Sequence, residues 1–410
     1  MTAPALDLAH VRSNFPGLAR GWTLFDNAGG SQILKGAVDR MTEFLLEKNV
    51  QIGGSYEISL AAAAALREGR DAAATLVNAS RPEEIIFGSS TTVLLQNLAR
   101  AMRSQLKPGD EIIVTQADHE SNIGPWMWLQ EFGITIKAWP INPETFTLDL
   151  VDLAPLITPR TRLVAVTHVS NILGQVNPVA EIARFVHDHG ARICVDAVAY
   201  APHRAIDVQA WDVDYYVFSL YKTYGPHYAV MYGKYDHLLE LDTLYHYFYG
   251  KDKVPGKMEP GNPSYECAYS VVAILDYFAR LGTGHTARAK LESGFSAIAV
   301  QEDDLVGRLL SYLTSRNDCQ IFGATRNEGS RRIPTVAFRF DGRNSGAICK
   351  AMDDHKIAIR HGDFHARRLV ESLDQMGDGG LVRVSMVHYN TLEEVDRLCA
   401  AFDEILRKVA

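Results

Sequence analysis

"VFSLYKTYGPHYAVMYG", residues 217 to 233, is an apolar run that breaks at a lysine, turns through Gly225 and Pro226, and resumes as a second apolar run. Both runs are rich in β-branched and aromatic residues, so they read as strands joined by a turn. Lys222 stands at the break. A solvated lysine at a strand end would satisfy the pattern, and so would an amine held inward as a nucleophile toward a carbonyl. The rest of the chain has to decide between them.

Working outward, short apolar runs alternate with helical patterns: "EEIIFG" at 83–88, "DEIIVTQ" at 110–116, "TRLVAVTHVS" at 161–170, "RICVDAVAY" at 192–200 and "YYVFSL" at 215–220. This alternation predicts an α/β fold with a mostly parallel sheet covered by helices. Several runs are almost wholly apolar, as strands buried on both faces are. After residue 282 a long helical segment precedes "RRIPTVAFRF", "KIAIRHG" and "LVRVSMVHYNT", which predicts a smaller α+β C-terminal domain. The expected division is an N-terminal segment 1–20 packing with the small domain, a large domain 21–282 and a small domain 283–410. The Gly- and Pro-rich stretch "YGKDKVPGKMEPGNPSYE", 249–266, is expected to be an exposed functional loop.

The 410 residues are 47% hydrophobic with a formal net charge of −8, and no basic cluster suggests a nucleic-acid partner. A small molecule is the expected ligand. The five cysteines are scattered without metal-ligand spacing, so no metal site and a reducing compartment are expected. "MTAPALDLAHVRSNFPGL" has no basic stretch followed by an apolar one, and no apolar run is long enough to cross a bilayer. The reading is a cytoplasmic protein without a membrane anchor. No GxGxxG follows the first strand, which argues against a nicotinamide-dependent dehydrogenase.

In parallel sheets ligands bind outside the carboxyl ends of the strands. The first such end opens a helix with "GSSTTVLLQ", whose N–H groups and hydroxyls can hold an anion or simply cap the helix. The next gives "ADHESNIGPWMW", with His119 near Trp126 and Trp128. "HVSNILGQVNPV" places Asn171 at a strand end, and "RICVDAVAY" places Asp196 where a carboxylate needs a positive partner or a helix to cap. With Lys222, an anion cradle, an imidazole, a carboxylate and an amine converge on one sheet edge.

This ordered set resembles the class V aminotransferase family of pyridoxal 5'-phosphate (PLP) enzymes, which have fold type I. Within it, the chain is similar to the cysteine desulfurase and selenocysteine lyase branch. The likeness runs from "LFDNAGGSQ" at 24–32 through "SSTTVLLQNLA", "ADHESNIGPW", "THVSNILGQVNPV", "DAVAYAPH" and "SLYKTYGP" to "VRVSMVHYNTLEEVD" at 382–396. The resemblance implies a Schiff base between Lys222 and PLP, Asp196 on the ring nitrogen and His119 stacked on the ring. It places Thr91, Thr92, Ser219 and Tyr221 near the phosphate and Asn171 near the phenolic oxygen. Arg383, assisted by Arg360, is implied to bind the substrate carboxylate, with Ala28 and Gly29 beside it. It also implies a homodimer in which Asn262 of "PGNPS" reaches the neighbouring site.

Three positions depart from the family pattern. His365 in "IRHGDFHARRL" stands where desulfurases carry the sulfur-accepting cysteine, Ala199 where a glutamine usually faces the cofactor, and Tyr221 where a histidine commonly precedes the lysine. Without a thiolate, persulfide formation lacks its nucleophile. The expected activity is therefore a PLP-dependent C–S or C–Se lyase acting by β-elimination on an α-amino acid, with His365 or His361 as proton donor. Aminotransferase and epimerase chemistry are the alternatives. Desulfuration through Cys267 and a noncatalytic PLP-fold protein rank below them.

Overall fold

The computed structural model describes residues 6–326 and 331–408. Seven of its strands form one sheet: β2 (Ile85–Gly88), β3 (Glu111–Thr115), β4 (Thr135–Trp139), β5 (Thr161–Thr167), β6 (Arg192–Asp196), β7 (Tyr215–Ser219) and β8 (Ala229–Gly233). Their order is β2-β8-β7-β6-β5-β3-β4, and only β8 runs antiparallel to its neighbours. The fold is thus α/β with a mostly parallel sheet. The reversal of β8 follows from the short turn after Lys222, because parallel neighbours need a longer crossover.

The strands are apolar on both faces because the sheet separates two cores. Val164, Val166, Tyr216 and Phe218 face one, while Leu163, Ala165, Tyr215 and Val217 face the other. Each buried aliphatic side chain contributes about 1.5–3 kcal/mol relative to exposure, so this alternation fixes the register. One sheet edge is unlike the rest. In β4 only Trp139 is buried, and its mixed sequence "TIKAW" carries little strand signal.

The C-terminal part forms an antiparallel sheet of β9 (Cys319–Phe322), β10 (Thr335–Phe340), β12 (Arg360–Gly362) and β13 (Leu381–Ser385), ordered β12-β13-β10-β9. The run "KIAIRHG" does not remain one strand. Its first part, β11 (Ile357–Ala358), pairs in parallel with β1 (Thr23–Leu24), while its second part joins β13. Near the chain start, Arg12 meets Glu394 at 3.0 Å and donates to the Tyr389 carbonyl at 2.7 Å.

The stretch 249–266 is only partly the exposed loop expected. Lys257, Met258 and Glu259 are buried. Glu259 accepts two hydrogen bonds from Arg70 at 3.0 Å and one from the Phe87 N–H at 2.8 Å, while Lys257 donates to the Leu241 carbonyl at 2.8 Å. Paired partners offset the desolvation that would otherwise keep these charges at the surface. Asn262, beyond them, is exposed.

Candidate active site

The carboxyl ends of β2, β3, β5, β6 and β7 open onto one cavity of about 350 Å³. Its walls include Thr91, Thr92, His119, Asn171, Asp196, Ser219, Tyr221, Lys222 and His365. A smaller adjoining chamber of about 130 Å³ brings in Ala28, Gly29, Arg360, Phe364 and Arg383. The sequence-expected residues are therefore assembled, except Asn262 and His361. His361 bonds through Nδ1 to the Gly379 carbonyl at 2.8 Å and lines neither chamber. Asn262 holds a left-handed backbone on the exposed loop, with its Oδ1 accepting from Tyr245 at 3.4 Å.

Lys222 ends a single 3-10 turn, Leu220–Lys222, that follows β7 directly. The turn closes through the Thr223 and Gly225 N–H groups, both donating to the Leu220 carbonyl at 2.8 Å. A Cβ at Gly225 would lie 2.8 Å from Ile274 and 3.0 Å from Leu220, so the turn needs a residue without one. Backbone bonds from Ser31 to the Tyr221 carbonyl and from Leu34 to the Tyr224 carbonyl then fix the lysine inward. Burial and the nearby Arg383 both push the Lys222 amine below its ordinary value, while Asp196 opposes them.

Asp196 ends β6 and is buried, with Oδ1 accepting from the Val198 N–H at 2.9 Å. Burial raises its pKa, against that bond and the Lys222 charge. His119 is held by its own neighbour: Nδ1 accepts from the Ser121 N–H at 3.0 Å, which puts the proton of the neutral ring on Nε2. Burial, then Lys222, His365 and Arg383, lower its pKa to about 3, so the ring is neutral at pH 7. Its aromatic neighbour is His365, with ring centroids 5.4 Å apart, rather than either tryptophan. Trp126 is buried with Nε1 toward Asn122, and Trp128 packs on Phe132.

At the other end, Ser90 caps the helix Thr91–Met102, its side chain accepting from Val93 N–H. Thr91 pairs with Ser219 at 2.7 Å and Thr92 with Ser121 at 2.8 Å. The capping bond is present, and the hydroxyls stand at the positive end of a twelve-residue helix, where an anion would be favoured. Ser90 and Ser121 join this wall without having been singled out from sequence. Asp118 was also missed: it is buried and accepts from Thr115, from Asn122 at 2.7 Å and from the Thr167 N–H at 3.1 Å. These bonds tie the ends of β3 and β5 together beside His119, and burial pushes the carboxyl up to about 8.

The walls fit PLP. Hydroxyls and helix N–H groups suit its phosphate, the buried Asp196 suits a protonated ring nitrogen, and Lys222 suits its aldehyde. Asn171 donates through Nδ2 to the Phe364 carbonyl at 2.9 Å, which leaves its buried Oδ1 without a partner at the cavity wall. A buried acceptor left unmet is costly, and a ring hydroxyl beside it would satisfy it. Asn171 lies four residues beyond the end of β5 at Thr167, so a short loop, not the strand itself, delivers it.

Comparison with known proteins agrees with this geometry. The model of the family described as Aminotransferase class-V matches residues 23–398. The chain is 41% identical to the aminotransferase-like protein FGM3 of Gibberella zeae, covering 99% of this chain and 100% of the relative. It is 35% identical to the cysteine desulfurase-like protein ustD of Aspergillus flavus, over 98% of this chain and 91% of that protein. Among solved structures, an apo cysteine desulfurase from Thermococcus onnurineus superposes over 100% of both chains with a TM-score of 0.88 at 27% identity. The Escherichia coli cysteine desulfurase CsdA gives 0.86 at 27% identity, covering 99% of this chain and 100% of that one. The chain belongs to the class V aminotransferase family and is a PLP-dependent enzyme acting on amino acids.

Proposed function

We propose that the enzyme is a C–S or C–Se lyase that eliminates the Cβ substituent of cysteine, cystine or a related amino acid without a persulfide-forming cysteine. The observation that carries this reading is the identity of the residue facing His119. It is His365, and neither chamber is lined by a cysteine. Burial raises the thiol pKa of all five cysteines, to about 12 for Cys319, Cys349 and Cys399, so none is disposed to act as a thiolate. Cys267, the candidate replacement, is among them.

Bound PLP supplies an electron sink for the pair left when a bond to Cα breaks. Arg383 holds the substrate α-carboxylate, with Arg360 at the chamber mouth. The Lys222 amine, its pKa depressed by burial, removes the Cα proton. His365 hands a proton to the departing sulfur, and the neutral His119 would cover a face of the cofactor's ring. The bond from Cβ to sulfur breaks as the Cα proton leaves, so cysteine plus water gives pyruvate, ammonia and hydrogen sulfide. Thr91, Thr92, Ser219 and Tyr221 would hold the phosphate.

His365 occupies a costly conformation for that role. It and Phe364 are consecutive non-glycine residues in the left-handed region, with φ of 59° and 51°. Each such residue costs roughly 1–2 kcal/mol, and strain of this kind persists where the surroundings impose it. The Glu120 N–H donates to the His365 carbonyl at 2.8 Å, and the Arg368 guanidinium grips Glu120 at 3.1 Å. His365→Gly therefore relieves strain and removes the ring together. The expected result is a Tm raised by about 1–2 °C with sulfide release lowered about 10²-fold. An activity unchanged by the substitution removes His365 from the mechanism.

The direct experiment incubates the PLP-loaded protein with L-cysteine under anaerobic, reducing conditions and quantifies alanine, pyruvate and sulfide together. Pyruvate with equal sulfide and no alanine is expected. Alanine would establish desulfuration and return attention to Cys267. Amino transfer to an added keto acid, or conversion to D-cysteine, would replace elimination with the aminotransferase or epimerase reading. The proposal includes a homodimer in which the exposed loop carrying Asn262 reaches the neighbouring site, and light scattering giving a monomer mass ends that part of it. Among the described residues no helix is long and apolar enough to cross a membrane.

A further inference from the structure

Arg383 is 2% exposed, and three neighbours fix its guanidinium. Nη1 donates to the Asn171 carbonyl at 3.1 Å, Nη2 to Asp26 Oδ1 at 2.9 Å, and the Phe364 ring lies 4.0 Å beneath the central carbon. Nε remains buried without a partner. Of the three neighbours only Asp26 carries charge. Its other oxygen, Oδ2, lies 3.6 Å from Arg360, which is 55% exposed. One carboxylate thus faces two guanidiniums, and the pair retains one net positive charge, which matches one substrate carboxylate.

The backbone is built to hold Asp26 there. Asp26 bridges to Ser385, two residues along β13 from Arg383. Ser385 Oγ accepts from the Ala28 N–H at 2.8 Å, its carbonyl accepts from Asn27 Nδ2 at 2.9 Å, and the Gly29 N–H closes a turn onto the Asp26 carbonyl at 2.9 Å. Space is reserved as well. A Cβ on Gly29 would stand 2.8 Å from Asp26 Oδ2 and 3.0 Å from Oδ1, so any larger residue displaces the carboxylate.

We propose that Asp26 is a positioning residue: it orients Arg383 so that the vacant Nε meets the substrate α-carboxylate, and Gly29 is small to leave room for it. This rests on the reading that Arg383 binds that carboxylate. A guanidinium fixed in advance loses little freedom on binding, and a released one has to be reordered for each substrate. Asp26 is not among the residues lining either chamber, so its removal should weaken recognition of the carboxylate and spare the rest of the site.

The test titrates the PLP-loaded enzyme with L-alanine and with L-alaninamide, which lacks the carboxylate, following the visible absorbance of the bound cofactor. Asp26→Asn is expected to weaken L-alanine about 10- to 100-fold and to leave L-alaninamide within about twofold. Gly29→Ala, which keeps the carboxylate and displaces it, should give the same selective loss and guards against a folding defect in the first variant. Equal weakening of both ligands, or of neither, overturns the proposal. Arg383→Met separates the two levels. If it abolishes the preference for alanine while Asp26→Asn retains it, only the role of Asp26 falls; if it leaves the preference intact, the carboxylate reading of Arg383 falls first.

Discussion

Lys222→Ala is expected to abolish turnover of every amino acid, by at least about 10³-fold, because it removes the group that takes the Cα proton and no second amine lines the cavity to replace it. The protein should still fold. The turn's backbone bonds do not involve the Lys222 side chain and stay intact, while Asp196, losing the nearby positive charge, takes up a proton more readily. Two readouts separate this from general damage. Borohydride reduction of the PLP-loaded wild type should fix the cofactor to a peptide containing Lys222, and the variant should remain unlabelled while keeping its far-UV spectrum. Full activity in the variant, or a label on another lysine, would refute the assignment on which the whole site depends.

The placement of Lys222 was legible because its neighbours in sequence are its neighbours in the fold. An apolar run, a lysine, and a Gly-Pro turn mark β7, the break and β8 within one short stretch, although Ser31 and Leu34 supply the backbone bonds that hold the turn. The same locality exposed Asp196, since a carboxylate after "RICV" can only end a buried strand. Where partners are remote, the signal disappears. Asp26 lies inside the quoted stretch "LFDNAGGSQ", yet nothing there reveals Arg383 near the other end of the chain as its partner. His119 was placed by sequence adjacency beside two tryptophans, whereas helical packing turns Trp126 into the core and a loop from the antiparallel sheet supplies His365 instead. Glu259 reads as loop charge until Arg70, on the helix Glu57–Val77, is seen to pair with it. Edge strand β4 was missed for a different reason, because its largely unburied faces impose no apolar pattern.

Asp196→Asn should divide stability from function. The folded apo protein holds this carboxyl above its ordinary value near 4, chiefly through burial, so the folded state binds the proton more tightly than the unfolded chain. The sign follows directly. Stability from this group is fully present below the unfolded pKa and is lost as pH rises through the raised folded value. At neutral pH the carboxylate therefore burdens the apo fold, and an asparagine, which cannot ionise, removes that burden. The expected gain in apo Tm is on the order of 1–2 °C at pH 8, shrinking toward zero near pH 4. The loaded enzyme should respond in the opposite sense. Asp196 is the only carboxylate among the residues lining the two chambers, so its loss leaves a protonated ring nitrogen without a charged partner and should lower kcat on the order of 10²–10³-fold. Melting curves of both forms across pH 4–8, with turnover on the loaded enzyme, test the two halves together. An apo protein no more stable at pH 8 would refute the burial argument, and undiminished kcat would deny Asp196 its place at the ring nitrogen.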